Sequence, residues 1–227
     1  MNRAKISKMF SVFRTVGFVV LSIGVFFGSG CVQSTDLSKA ITPISDDEIQ
    51  QDVALQRQVL EPGMMVVRAS VSTTTQGDLF LLGVDPDEYT FHLAATNTRL
   101  SMASWSNLFP QSVAGINGVY FHEDLTPSGF FTARDVRQQK RVFDLDKSAL
   151  LVINDKLRLV DTAITPMEFK NVRQGAQSYP ILIEDGRVKL TRDTEKLGRR
   201  SWIGTDRKGW VWMGVLPNGQ VSLFTLA

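Results

Sequence analysis

The distribution of apolar residues changes character twice along the chain. An apolar run from Val16 to Phe27 follows Arg3, Lys5, Lys8 and Arg14 and stops at the small residues Gly28, Ser29 and Gly30. Its core falls short of the roughly 20 apolar residues that cross a bilayer, so residues 1–30 read as a cleavable export signal and not as a permanent anchor. Val32 to Pro43 is polar and without period, and residues 31–45 read as a tether. Ser45-Asp46-Asp47-Glu48 then has the form of a capping box, with the serine oxygen accepting from the Glu48 backbone while the glutamate reaches back. This predicts a helix ended by Pro62-Gly63, with a thin apolar stripe of Ile49, Val53 and Leu60.

From Met64 onward the pattern is that of strands. Met64 to Val71, Leu79 to Val84 and Tyr89 to Ala95 are rich in β-branched, aromatic and apolar residues, separated by Gly77-Asp78 and Asp85-Pro86. Ser101 to Leu108 predicts a short helix stopped by Pro110, and Val113 to Tyr120 a strand. Three hairpins are predicted after that. Asn154-Asp155 joins 150–153 to 157–160, Asp185-Gly186 joins 181–183 to 188–190, and Asn218-Gly219 joins 211–216 to 221–224. Asp-Gly and Asn-Gly accept the positive φ that tight hairpins need. Residues 46–227 are thus expected to form one α+β domain, a β-rich twisted sheet system with several hairpins and few helices.

Composition changes this picture in two places. The net charge of +2 comes from the leader: four of the 25 Lys and Arg lie in the first thirty residues, which hold no Asp or Glu, leaving 21 basic against 23 acidic residues. A mature charge of −2 removes the electrostatic case for nucleic-acid binding. The single cysteine, Cys31, excludes an intrachain disulfide and sits directly after Gly28-Ser29-Gly30. That placement resembles the lipobox of bacterial lipoproteins, which implies acylation at Cys31 and attachment to an envelope membrane facing the periplasm or exterior; a plain secretory signal is the alternative.

The polar punctuation of the strands carries the chemistry. Asn117-Gly118-Val119-Tyr120-Phe121, Pro127-Ser128-Gly129, Gln177-Ser178-Tyr179-Pro180 with Asp185-Gly186, and Arg200-Ser201-Trp202-Ile203-Gly204 with Asp206 and Gly209 together resemble the phosphodiester glycosidase family. Leu81 to Tyr89 resembles the family's early strand, so the likeness runs from about Met64 onward. It departs at Val119, where the family has a second glycine, and at Trp202, where it has a small residue. The family also continues into an Asn-Leu-Asp-Gly-Gly-Gly-Ser-like segment, so the domain reads as short at its C-terminus.

The resemblance implies hydrolysis or recognition of a glycosyl phosphodiester in an envelope or extracellular polysaccharide, with a non-catalytic carbohydrate-binding or structural lipoprotein as the alternative. Arg200 suits the phosphate, because guanidinium pairs with two oxygens in a fork. Asn117 and Gln177 can hydrogen-bond sugar hydroxyls, with Gly118 allowing close backbone approach. Both also have structural readings, Asn117 as turn chemistry and Gln177 as a partner for buried backbone. Asp206 is a candidate carboxylate, although Asp206-Arg207-Lys208-Gly209 reads more readily as a hairpin loop. His122-Glu123-Asp124 reads as a solvated loop. No metal or other cofactor is expected, since His92 and His122 are the only histidines and no spacing gathers three ligands. Ser128, Ser178 and Ser201 lie outside any Gly-x-Ser-x-Gly elbow. Trp202, Trp210 and Trp212 fit a core better than a sugar platform, with Trp202, beside Arg200, the best candidate for stacking.

Overall fold

Alternating burial along the strands builds the architecture. The computed structural model describes residues 18–23, 42–43, 53–71, 78–96, 98–133, 144–164 and 171–227. Its elements in chain order begin with β1 (Phe18–Ile23), β2 (Thr42–Pro43), β3 (Val53–Glu61), β4 (Met64–Val71), β5 (Asp78–Val84), β6 (Tyr89–Ala94), α1 (Met102–Leu108) and β7 (Ser112–Asn117). They continue with β8 (Phe131–Thr132), β9 (Ala149–Ile153), β10 (Leu157–Asp161), β11 (Gln174–Ser178), β12 (Ile183–Glu184), β13 (Arg187–Val188), β14 (Ser201–Thr205), β15 (Val211–Val215) and α2 (Leu223–Leu226). The expected strand-rich character is present, with antiparallel pairing and only two short helices among the described residues. No helix among those residues is long and apolar enough to cross a membrane.

Three sheets share one core. A six-stranded sheet runs β14-β15-β5-β4-β3-β2, a four-stranded sheet β10-β9-β11-β8, and a three-stranded sheet β6-β1-β7. Met64, Val84, Val211 and Met213 from the first pack with Leu151, Ile153, Leu157, Phe131 and Ala176 from the second and with Tyr89, Phe91 and Leu93 of β6. The 89-91-93 spacing puts one face of β6 inward, as period two requires. Strand β9 is buried on both faces: Leu151 and Ile153 face this core, while Leu150 and Val152 join Phe130 in a second cluster. Uninterrupted Leu-Leu-Val-Ile therefore suits it. Helix α1 starts as expected, with Ser101 Oγ accepting from the Ser104 amide at 3.1 Å. It buries Trp105, which stacks on Phe109 with ring centres 5.8 Å apart.

Two expected elements are replaced. Val53–Glu61, expected in the capping-box helix, is strand β3, paired with β4 from Val53↔Val71 to Glu61↔Met64. Pro62-Gly63 is its hairpin turn, with Gly63 at φ 73°. Non-local pairing with the β-branched strand β4 outweighs a local helix signal whose apolar stripe is thin. The Asn218-Gly219 hairpin is also absent. Strand β15 already pairs with β14 on one side and β5 on the other, which leaves no edge for a returning strand. The chain instead bridges Val221 to Gly198 and caps α2 with Ser222, whose Oγ accepts from the Thr225 amide at 3.1 Å. The hairpins β9–β10 and β12–β13 form as expected, the latter with Asp185 at φ 51° and Gly186 at φ 74°.

The N-terminal segments take unexpected places. Phe18–Ile23, inside the leader-like run, is the middle strand of the β6-β1-β7 sheet. Apolar β-branched composition serves an export leader and a central strand equally well. Thr42–Pro43 of the tether pairs with Gln56 and Arg57. Cys31 and the capping box lie outside the described residues.

Candidate active site

Strand ends deliver the site. Strand β7 closes at Asn117, β11 runs out at Ser178 into Tyr179-Pro180, and β14 opens at Ser201 directly after Arg200. Ser201 Oγ donates to Asn117 Oδ1 at 2.5 Å, tying the first motif to the last. Tyr120 Oη donates to the Tyr179 carbonyl at 3.1 Å, tying the first to the second. Arg200 stands close enough to Tyr120 for its charge to act on the phenol. Burial pushes the Tyr120 hydroxyl above its ordinary pKa, and the nearby Arg200 charge opposes that without cancelling it. The phenol is therefore protonated at neutral pH, as its role as donor requires.

Arg200 is held by backbone carbonyls. Its Nε donates to Val221 O at 3.2 Å and its Nη2 to Lys196 O at 2.6 Å. The Val221 carbonyl accepts from both Arg200 Nε and the Gly198 amide, and the reciprocal bonds between Gly198 and Val221, 3.0 and 3.2 Å long, fix that segment. Guanidinium has five N–H donors; these two bonds leave the others for an anion. Tyr120 is 42% exposed and Tyr179 51% exposed, so both aromatic residues reach the surface. Asn117 is exposed as well, and Gly118 follows it directly.

Gln177 belongs elsewhere. Only 1% exposed, it accepts on Oε1 from the Phe130 and Asp144 amides, both at 3.0 Å. Its Nε2 donates to the Asp144 carbonyl at 2.7 Å and to the Lys147 carbonyl. All its capacity is spent on backbone, so it braces the segments 128–130 and 144–147 and offers nothing to a sugar. Gly129 makes room for it: a methyl there would stand 2.7 Å from Gln177 Oε1. The motif reaches the site through Tyr179, two residues on, where strand alternation ends.

Asp206 is also structural. Its Oδ1 accepts from the Lys208 and Trp210 amides at 2.9 and 3.0 Å, and its Oδ2 from Trp212 Nε1 at 3.0 Å. Desolvation works against the carboxylate, yet the bonds from Trp212, Trp210 and Lys208 outweigh it and lower its pKa. Asp124 behaves similarly in the His122-Glu123-Asp124 loop, with Oδ1 accepting from Thr126 N and Oγ1. Trp202 stacks on backbone instead of standing as a platform: it is paired across the sheet with Gly214, and its ring fills the space a Cβ there would take. The family departure at Trp202 is thus matched by a glycine opposite. Tyr120, Tyr179 and Ser201 were within the sequence motifs, but their roles depend on which neighbour faces outward.

A family model described as phosphodiester glycosidase matches residues 110–226, just over half of the chain. The matched span holds every residue of the cluster and begins after the early strands. No curated protein and no solved structure matches the chain.

Proposed function

The chain belongs to the phosphodiester glycosidase family, and on that premise we propose that the cluster of Asn117, Tyr120, Arg200 and Ser201 binds and hydrolyses a glycosyl phosphodiester. The substrate class is an envelope or extracellular polysaccharide, and the protein is exported and lipid-anchored through Cys31. The observation that carries the reading is the Ser201–Asn117 bond, which ties the end of β7 to the start of β14 one residue from Arg200, whose charge acts on Tyr120.

In this reading the Nη donors of Arg200 not engaged by Val221 and Lys196 hold the diester oxygens. Asn117 and the Gly118 backbone face the sugar. Water adds to the anomeric carbon and releases one proton to solvent, the bond from that carbon to the phosphate oxygen breaks, and the electron pair leaves with the phosphate monoester, which can take up that proton. That leaving group is already a stable anion, so binding its charge contributes more than protonating it.

The test is a hydrolysis screen of glycosyl phosphodiesters with wild type and Arg200→Ala, reading released sugar and phosphate monoester. Arg200→Ala is expected to lose about 10²–10³-fold in kcat/KM with little change in melting temperature. Equal turnover by the two proteins would remove Arg200 from the site. Binding without turnover by the wild type would support a carbohydrate-binding lipoprotein in place of an enzyme.

A further inference from the structure

Strand β7, which carries Asn117, has one ladder partner among the described residues, and that partner is β1. Strands β6 and β7 do not touch each other in the ladder. Each runs antiparallel to β1, so they flank it in parallel, one strand width away on either side. Every residue of β1 is in register with β6, from Phe18↔Ala94 to Ile23↔Tyr89. Towards β7 the register runs from Phe18↔Asn117 to Leu21↔Ala114, then shifts by a bulge to Ser22↔Ser112. The residue that begins β1 thus stands opposite the site residue that ends β7.

The two flanking strands are held very differently. Tyr89, Phe91 and Leu93 of β6 are buried in the main core, and the Leu93 amide donates to Gln174 Oε1 at 3.0 Å. Strand β7 contributes only the partly buried Ala114 and Ile116, with Val113 40% exposed. Without β1, β6 keeps its place through its side chains, whereas β7 loses every ladder bond it has. Unpaired strand groups facing a half-buried slot are unfavourable.

Phe18–Ile23 also lies between Arg14 and the Gly28-Ser29-Gly30-Cys31 segment. One stretch of chain cannot be engaged as a leader and fill this slot simultaneously. We propose that the gap between β6 and β7 is a strand-acceptor site, separable from the rest of the fold, whose occupant in the uncut chain is its own Phe18–Ile23. Removal of that segment, as cleavage before Cys31 would bring about, loosens β7 along its ladder while the Ser201 bond still holds Asn117 at its end, and the same apolar sequence supplied as a separate peptide refastens the strand. The reading concerns assembly and stands whether or not the cluster turns over a diester.

Hydrogen–deuterium exchange tests it on the full chain, on full-chain Val20→Pro, and on a chain starting at Cys31 with and without a peptide of residues 16–25 carrying terminal lysines for solubility. Proline removes a donor from the middle of a central strand. The amides of β7 are expected to exchange at least about tenfold faster in Val20→Pro and in the shortened chain, as a locally opened unit does. Those of β4, β5 and β15 are expected to keep their protection. The peptide should restore β7, and the same peptide with Val20→Pro should not. Unchanged β7 protection in full-chain Val20→Pro would overturn the proposal. So would loss of protection across β4, β5 and β15 together with β7, or failure of the peptide to restore it.

Discussion

Replacing Gln177 by alanine should cost the fold far more than it costs any ligand contact. The side chain satisfies four backbone groups: the amides of Phe130 and Asp144, and the carbonyls of Asp144 and Lys147. Leaving a buried donor or acceptor unmet costs about 1–3 kcal/mol. Asp144 and Lys147 are partly exposed, so water can replace some of their bonds, whereas Phe130 is buried. With the void left by the amide included, a loss of about 3–5 kcal/mol is expected, set against a total of roughly 5–15 kcal/mol for a natural domain. Urea unfolding followed by tryptophan fluorescence reads this as a lower midpoint at similar slope. Gln177→Glu sharpens the test. Its carboxylate would keep the two amides but turn an oxygen toward two carbonyls, so its folded pKa should rise above the unfolded value of about 4.3. Relative stability of that variant is then greatest below the unfolded pKa and is lost as pH rises through the folded one. A Gln177→Ala protein that unfolds within about 1 kcal/mol of wild type would refute the bracing role and return Gln177 to the ligand.

Gly129→Ala would press a methyl against Gln177 Oε1 and should destabilise by about 1–3 kcal/mol, measured by the same unfolding curves. In a double-mutant cycle with Gln177→Ala its cost should shrink, and strict additivity would show that the two sites do not touch. Asp206→Asn should flatten the acid limb of stability: the wild-type carboxylate has a lowered folded pKa, so its contribution is complete above the unfolded value of about 3.9 and fades as pH falls through the folded one. Parallel acid limbs for the two proteins would contradict this. Cys31→Ser should move the protein from the detergent-soluble membrane fraction to the aqueous fraction, and unchanged fractionation would remove the lipid anchor.

What was legible in the sequence follows from the range of the forces involved. The strand from Tyr89, the short helix after Ser101 and the Asp185-Gly186 turn depend on residues within a few positions of one another. So does the closing of strands at Asn117, Ser178 and before Ser201, which is why the polar motifs marked the right segments. The family match rests on the same local motifs, from residue 110 to 226.

Tertiary structure alone decided which member of each motif faces outward and which strand finds a partner. In Gln177-Ser178-Tyr179 the glutamine was the more chemically suggestive residue, yet non-local packing turned it onto the Phe130 and Asp144 backbone and left Tyr179 to meet Tyr120. Residues 53–61 carried a local helix signal that the edge of β4 overrode, and 221–224 carried a local strand signal that found no free edge beside β15. An unpaired strand edge or an unsatisfied buried amide exists only once distant segments have met, so its free energy cannot be read from neighbours along the chain.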